Sequence, residues 1–280
     1  MITLLTLILL ILKVALGLIA LVVLLSYTVA WYERANSQPE LIERRFTAHG
    51  IGIAAWLLIQ ETGCLLITLL LNPFGWTTPK EPVGVASEKA PVILLHGLLQ
   101  NRSCMFWLQR QLAKAGYQQT ICINTPPWRD LETLTEVLAK KVDELRINLK
   151  VDKVILIGHS MGGIIARNYV QNRGGAAHVS SMVTLGAPHH GSKLAPFAVS
   201  QMGRSLLPSS NFISQFNKVA WPQETQATSI YTRYDNIVLP ADSSKMVGAK
   251  LVELDGMGHT SLLFHPRSIQ AVIEALNPAP

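Results

Sequence analysis

The sequence predicts an α/β fold: a compact parallel sheet of about six strands flanked by helices, behind an N-terminal apolar segment. Three observations predict it. Across residues 90–280, short runs rich in Val, Ile and Leu alternate with amphipathic stretches, the pattern of a parallel sheet covered on both faces. Glycine-bearing turns follow several of these runs, at the strand ends where such sheets carry their sites. Apolar residues crowd the chain before Pro79, so 49% hydrophobic residues coexist with 15% charged ones, against about 25% in an ordinary globular chain.

The N-terminal third comes first. Residues 2–31 are apolar, interrupted mainly by Lys13, Thr and Ser, and exceed the roughly 20 residues that a membrane span needs. A secretory signal is the competing reading, with Thr28-Val29-Ala30 as a cleavage site. Its apolar core would be about 7–15 residues behind a basic start, so an uncleaved anchor fits better. Lys13 at mid-membrane would cost about 2.5–3.5 kcal/mol, and placing the span at 14–32 lets its ammonium reach the interface. A second apolar run, 51–71, carries Gln60 and Glu61 at its centre. Two placements follow: a second span with Glu61 facing protein, or a helix lying in the interface. Arg34, Arg44 and Arg45 lie between the runs. By the positive-inside rule they would hold that loop in the cytoplasm and put the rest of the chain on the periplasmic side of a bacterial inner membrane, although Lys80, Lys89 and Arg102 weaken the bias. The expected organisation is an anchor over 1–72, a Pro-, Gly- and Thr-rich linker over 73–89, and a catalytic domain over 90–280.

Within that domain the expected strands are 91–95, 120–123, 154–157, 179–185, 229–232 and 250–254. Ser103 is expected to cap a helix ending near Ala115, and Asp130 one with apolar residues at Leu131, Leu134, Val137, Leu138, Val142 and Leu145. A helix over 164–171 and a closing helix over 266–276 complete the set. Residues 189–225 have no counterpart in a bare sheet-and-helix core and read either as a lid or as plain helical packing. Phe106, Trp107 and Trp128 read as lining of a pocket or as core aromatics.

The chemistry is concentrated at Gly158-His159-Ser160-Met161-Gly162, which follows one strand directly and opens a helix. In that setting G-x-S-x-G makes a strained turn that pushes the serine outward, with glycines where neighbouring backbone passes close. A serine hydroxyl needs a base, and the base needs an orienting carboxylate, here in the order Ser, acid, His. Of the downstream histidines, His178 precedes a strand, His189 and His190 precede any suitable acid, and His265 suits a helix cap. His259 remains, in the loop after the last strand. Asp235 follows the preceding strand; Asp242 is farther from its end, and Asp255 is too close in sequence to His259. The backbone N–H groups of Met161 and Leu98 are the candidate oxyanion donors, and His96 fits a loop-shaping hydrogen bond.

Gly158-His159-Ser160-Met161-Gly162-Gly163, together with Val92-Ile93-Leu94-Leu95-His96-Gly97, Leu185-Gly186-Ala187-Pro188-His189-His190-Gly191, Asp235-Asn236-Ile237-Val238 and Gly256-Met257-Gly258-His259, resembles the compact lipase A-like bacterial lipases of the α/β-hydrolase superfamily. Leu206-Leu207-Pro208-Ser209-Ser210 is similar to a segment of larger lipases. The resemblance covers about 91–280 and implies hydrolysis of acyl esters by Ser160, Asp235 and His259 without a cofactor. It does not reach residues 1–80, which departs from secreted lipases and points to membrane lipid as the substrate. The rivals are a phospholipase or acyltransferase with the same residues, and a non-catalytic lipid-binding scaffold.

Other classes fit poorly. A net charge of +6 is spread without a stripe or reading motif, which argues against nucleic acid. Cys64, Cys104 and Cys122 have no metal spacing, no carboxylate cluster suggests calcium, and a Cys104–Cys122 bridge stays open.

Overall fold

The computed structural model describes residues 3–37, 47–77, 88–198 and 200–277, so Arg44, Arg45, Lys80 and most of the expected linker lie outside the described residues. Six strands form one parallel sheet: β1 (Val92–Leu95), β2 (Thr120–Ile123), β3 (Val154–His159), β4 (Val179–Leu185), β5 (Gln226–Thr232) and β6 (Lys250–Leu254), in the order β2-β1-β3-β4-β5-β6. This is the α/β-hydrolase architecture.

Strand alternation divides the core in two. Ile93, Leu95, Val154 and Leu156 point to the face covered by α4 (Leu131–Leu149) and α5 (Met161–Asn172). Val92, Leu94, Ile155 and Ile157 point to the face covered by α3 (Phe106–Lys114) and α8 (Pro266–Leu276). Central strands apolar on both faces are what a sheet buried on both sides requires. Register brings the site loops together. Leu95 is level with Gly158, His159 with Leu185, and Thr232 with Leu254, so the loops after β1, β3, β5 and β6 leave the same edge.

Most expected elements fall where the patterns put them, and Asp130 caps α4 by accepting the Thr133 N–H at 2.8 Å. The exception is α3. Asn101, not Ser103, caps its approach, because a one-turn 3₁₀ segment over Arg102–Met105 comes first. In 189–225, α6 (Gln201–Ser205) and α7 (Asn211–Phe216) bury Met202, Leu206, Ile213 and Phe216 in the α4/α5 core, as plain packing would. Trp107 and Trp128 are neither core nor pocket: both are exposed, at 44% and 70%. Cys104 and Cys122 are buried free thiols.

The N-terminal segment forms two helices, α1 (Leu4–Ser37) and α2 (Ala48–Leu71), the second continued by a 3₁₀ turn over Asn72–Trp76. Both are long and apolar enough to cross a membrane, with mean hydropathies of 3.1 and 1.8. Residues 3–18 are exposed all round the helix. From Ile19 onward α1 packs against α2 and the catalytic domain, with Glu33 paired to Lys193 and the Arg34 guanidinium 5.4 Å from the Tyr234 ring centre. α2 touches the domain from Trp56, whose indole N–H donates to Gly256 O, to its 3₁₀ extension, where Gly75 O accepts from Arg102. Glu33 and Arg34, at the end of α1, thus lie against the catalytic domain.

Candidate active site

Ser160 sits between β3 and α5 with φ 53° and ψ −124°, a conformation costly for a residue with a side chain. The surrounding packing enforces it. A Cβ on Gly162 would lie 2.3 Å from the Leu95 carbonyl oxygen, and one on Gly158 would lie 2.4 Å from the Gly163 nitrogen. Only glycines allow backbone so close, and the Ser160 N–H is tied to Leu185 O at 2.8 Å. Met161 then opens α5, and its N–H precedes the first bond of that turn, from the Gly163 N–H to Ser160 O at 3.0 Å, in the position where helix N–H groups lack intrahelical acceptors. Leu98 lies across from it in the β1 loop and lines the same cavity as Ser160.

Asp235 is buried just beyond β5, and its two oxygens divide the work. Oδ1 accepts the N–H groups of Ile237 and Val238 at 2.8 and 2.7 Å, which fixes the carboxylate. Oδ2 accepts from His259 Nδ1 at 2.8 Å. The imidazole is thereby oriented, leaving Nε2 as its second nitrogen. Burial disfavours the imidazolium, but the Asp235 charge and hydrogen bond outweigh it, with help from Glu61, and His259 titrates above the ordinary 6.5. The Ser160 hydroxyl makes no hydrogen bond to the imidazole in this ligand-free arrangement, a contact that often tightens only once substrate binds.

The other candidates have structural duties. His96 Nε2 accepts the Thr125 N–H at 2.9 Å, so its Nδ1–H donates to Gly97 O at 2.8 Å. Burial holds it neutral, with a pKa lowered to about 4. His189 is buried between Thr184 and Arg167, and His265 caps α8 through the Arg267 N–H. Asp242 and Asp255 pair at the surface with Lys245 and Arg233.

Two cavities border this region. The larger, about 600 Å³, lies between α1 and the outer side of Asp235 and contains neither Ser160 nor His259. The second, about 480 Å³, holds both and is the candidate substrate site. Its floor is Gly97, Leu98, Ser160 and His259. Its opposite wall is α1 and α2, through Leu18, Ile19, Val22, Leu65 and Leu69.

Sequence reasoning assigned no role in the site to three residues found here. His159, the variable position of G-x-S-x-G, stacks obliquely on His259 with ring centres 4.7 Å apart and contacts His259 O through Nε2. Asn236 accepts the His259 N–H through Oδ1 and donates to Ser26 of α1 through Nδ2. Glu61 of α2 accepts the next two N–H groups, those of Thr260 and Ser261. Asn236 directly follows Asp235, but no spacing rule links Ser26 or Glu61 to a loop about 200 residues away.

Comparison with known proteins agrees with this architecture. The chain is 34% identical over 114 residues to a proline iminopeptidase of Lactobacillus delbrueckii subsp. lactis, covering 37% of this chain and 39% of that protein. It therefore spans about two fifths of the curated relatives it matches. Among solved structures, mature Bacillus licheniformis lipase BlEst2 superposes with TM-score 0.61 at 20% identity, over 69% of this chain and 96% of that one. Aspergillus fumigatus lipase B gives 0.62 at 15% identity, over 79% and 71%. At these identities the superpositions establish the fold alone. The family model described as palmitoyl protein thioesterase matches residues 91–245, more than half of the chain, taking in Ser160 and Asp235 and ending before His259. The chain belongs to the palmitoyl protein thioesterase family, within the α/β-hydrolase fold.

Proposed function

We infer that the protein is a membrane-associated serine hydrolase of acyl esters, with Ser160 as nucleophile, His259 as base and Asp235 as its orienting carboxylate. The observation that carries this reading is the hydrogen bond from the His259 imidazole to the buried Asp235 carboxylate, in one cavity with a serine on a strained strand–helix turn. Ser160 Oγ attacks the carbonyl carbon while His259 Nε2 takes its proton. The N–H groups of Leu98 and Met161 receive the oxyanion, and the tetrahedral species expels the alcohol, protonated by His259. Water then opens the acyl-enzyme by the same route, returning the proton to Ser160.

The cavity supports an acyl chain as the bound group, since Leu18, Val22, Leu65 and Leu69 line it together with Ser160 and, among the described residues, no Asp, Glu, Lys or Arg does. The exposed apolar turns over residues 3–18 of α1 support insertion into a bilayer. α2, which lies along the catalytic domain, fits the interfacial placement better than a span standing clear of it. The family match favours trying acyl thioesters beside oxygen esters.

Ser160→Ala is expected to abolish hydrolysis of a p-nitrophenyl ester and labelling by a fluorophosphonate while thermal unfolding is unchanged. Full turnover by that variant would contradict the assignment. The base must be neutral to act, and the folded protein favours its protonated form. The acid limb of kcat/KM should therefore lie above pH 6.5, and a limb at or below that value would contradict the His259–Asp235 coupling.

A further inference from the structure

We propose that Glu61, on the apolar helix α2, is a positioning residue that fixes the loop carrying His259, so that the N-terminal hairpin is a working part of the active site. The proposal rests on the assignment of His259 as the base. Glu61 is 1% exposed, in a helix otherwise almost wholly apolar. A carboxylate buried this deeply persists only with hydrogen-bond partners. Its partners are specific: Oε2 accepts the Thr260 N–H at 2.8 Å and Oε1 the Ser261 N–H at 2.7 Å. Both donors directly follow His259.

The approach is tight from both helices. A Cβ added to Gly258 would lie 2.2 Å from the Tyr27 hydroxyl oxygen and 2.5 Å from Glu61 Cγ. Asn236 holds the His259 N–H and is itself held by Ser26 of α1. Three consecutive N–H groups, at 259, 260 and 261, are thus satisfied by side chains that belong to or lean on the hairpin. The loop's tie to the sheet, from Thr232 Oγ1 to Met257 O, and its internal bond, from Ser261 Oγ to Gly258 O, do not engage those N–H groups. The ionisable groups facing His259 are Asp235 after β5, His159 at the end of β3, and Glu61 with the nearby Tyr27 from the hairpin. Asp235 and Glu61 both favour the imidazolium.

The sequence pattern would place Glu61 as an ion hidden from lipid and nothing more. The two bonds to a loop about 200 residues distant give it a second duty. It carries into the hairpin the task that a loop of the catalytic domain would otherwise perform.

The test is steady-state hydrolysis of a short, soluble p-nitrophenyl ester by the full-length detergent-solubilised protein, wild type against Glu61→Gln and Glu61→Asp. A short ester makes little use of the acyl wall, so altered chain binding does not enter. In Glu61→Gln one of the two N–H groups loses its acceptor and meets an amide NH₂. kcat should then fall about tenfold or more with KM little changed, as expected when a buried hydrogen-bonding group loses its partner. The acid limb should move to lower pH as the negative charge is lost. Glu61→Asp keeps the charge with a shorter reach, and should lose kcat while retaining most of the limb position. If Glu61→Gln does not fold, Glu61→Asp carries the test, and wild-type kcat in it would overturn the proposal. So would a folded Glu61→Gln with wild-type kcat and pH profile, or with a lowered melting temperature alone. Failure of the wild type itself to label with fluorophosphonate would instead overturn the assignment of Ser160.

Discussion

The two walls of the candidate site are built by opposite means. The wall of Ser160, Leu98 and His259 comes from loops at one edge of a parallel sheet, placed by strand register and by glycines that admit backbone at close range. The facing wall comes from α1 and α2, which precede the catalytic domain and lie against it along much of their length. On the first wall local sequence dictates geometry. On the second, two apolar helices supply shape, and polar groups on each, Ser26 and Glu61 among them, find partners in the loops after β5 and β6. The difference teaches that an N-terminal segment readable as a tether can also be a component of the chemistry.

The comparison can be broken by matched substitutions. The largest expected effect is on the sheet side: Asp235→Asn should lower kcat about 10⁴-fold by leaving the imidazole in the wrong tautomer, in steady-state assays with folding intact. Gly162→Ala should come next. Its methyl would meet the Leu95 carbonyl oxygen at 2.3 Å, so chemical denaturation should show a loss of about 1–3 kcal/mol or more. On the hairpin side, Leu69→Trp should cut turnover of a long-chain ester about tenfold relative to a short one, since each methylene excluded from an apolar site is worth about 1–3 kcal/mol. The smallest effect has the opposite sign. Gly63 of α2 has open space around its missing Cβ, so Gly63→Ala should stabilise by up to about 1 kcal/mol through helix propensity, read as a raised melting temperature.

The sheet-borne half was largely legible in the sequence. Runs such as Val154-Ile155-Leu156-Ile157 are apolar on both faces and end in glycine turns, so strands, elbow and the order Ser160, Asp235, His259 follow from local pattern. His96, His189 and His265 hydrogen-bond to the Thr125 N–H, the Thr184 hydroxyl and the Arg267 N–H in the fold. The hairpin half was legible only as two apolar runs. Periodicity reports that a helix is apolar, not what it leans on, and so cannot place Arg34 over Tyr234. His159 stands at a position the motif leaves unspecified, and its contact with His259 arises only where the loops after β3 and β6 meet at one edge of the sheet. Trp107 and Trp128 drew attention as aromatics, yet their place on the surface depends on a 3₁₀ turn and a proline loop that spacing rules do not resolve.

That the hairpin walls the site can be tested in a single measurement. An alkyl fluorophosphonate with a photoreactive group at the end of a long chain would be allowed to react with the full-length protein in a bilayer, irradiated, and mapped by peptide mass spectrometry. The account predicts a phosphonyl adduct on Ser160 and cross-links within residues 18–22 and 65–69. An adduct on Ser160 with every cross-link inside the catalytic domain would contradict it.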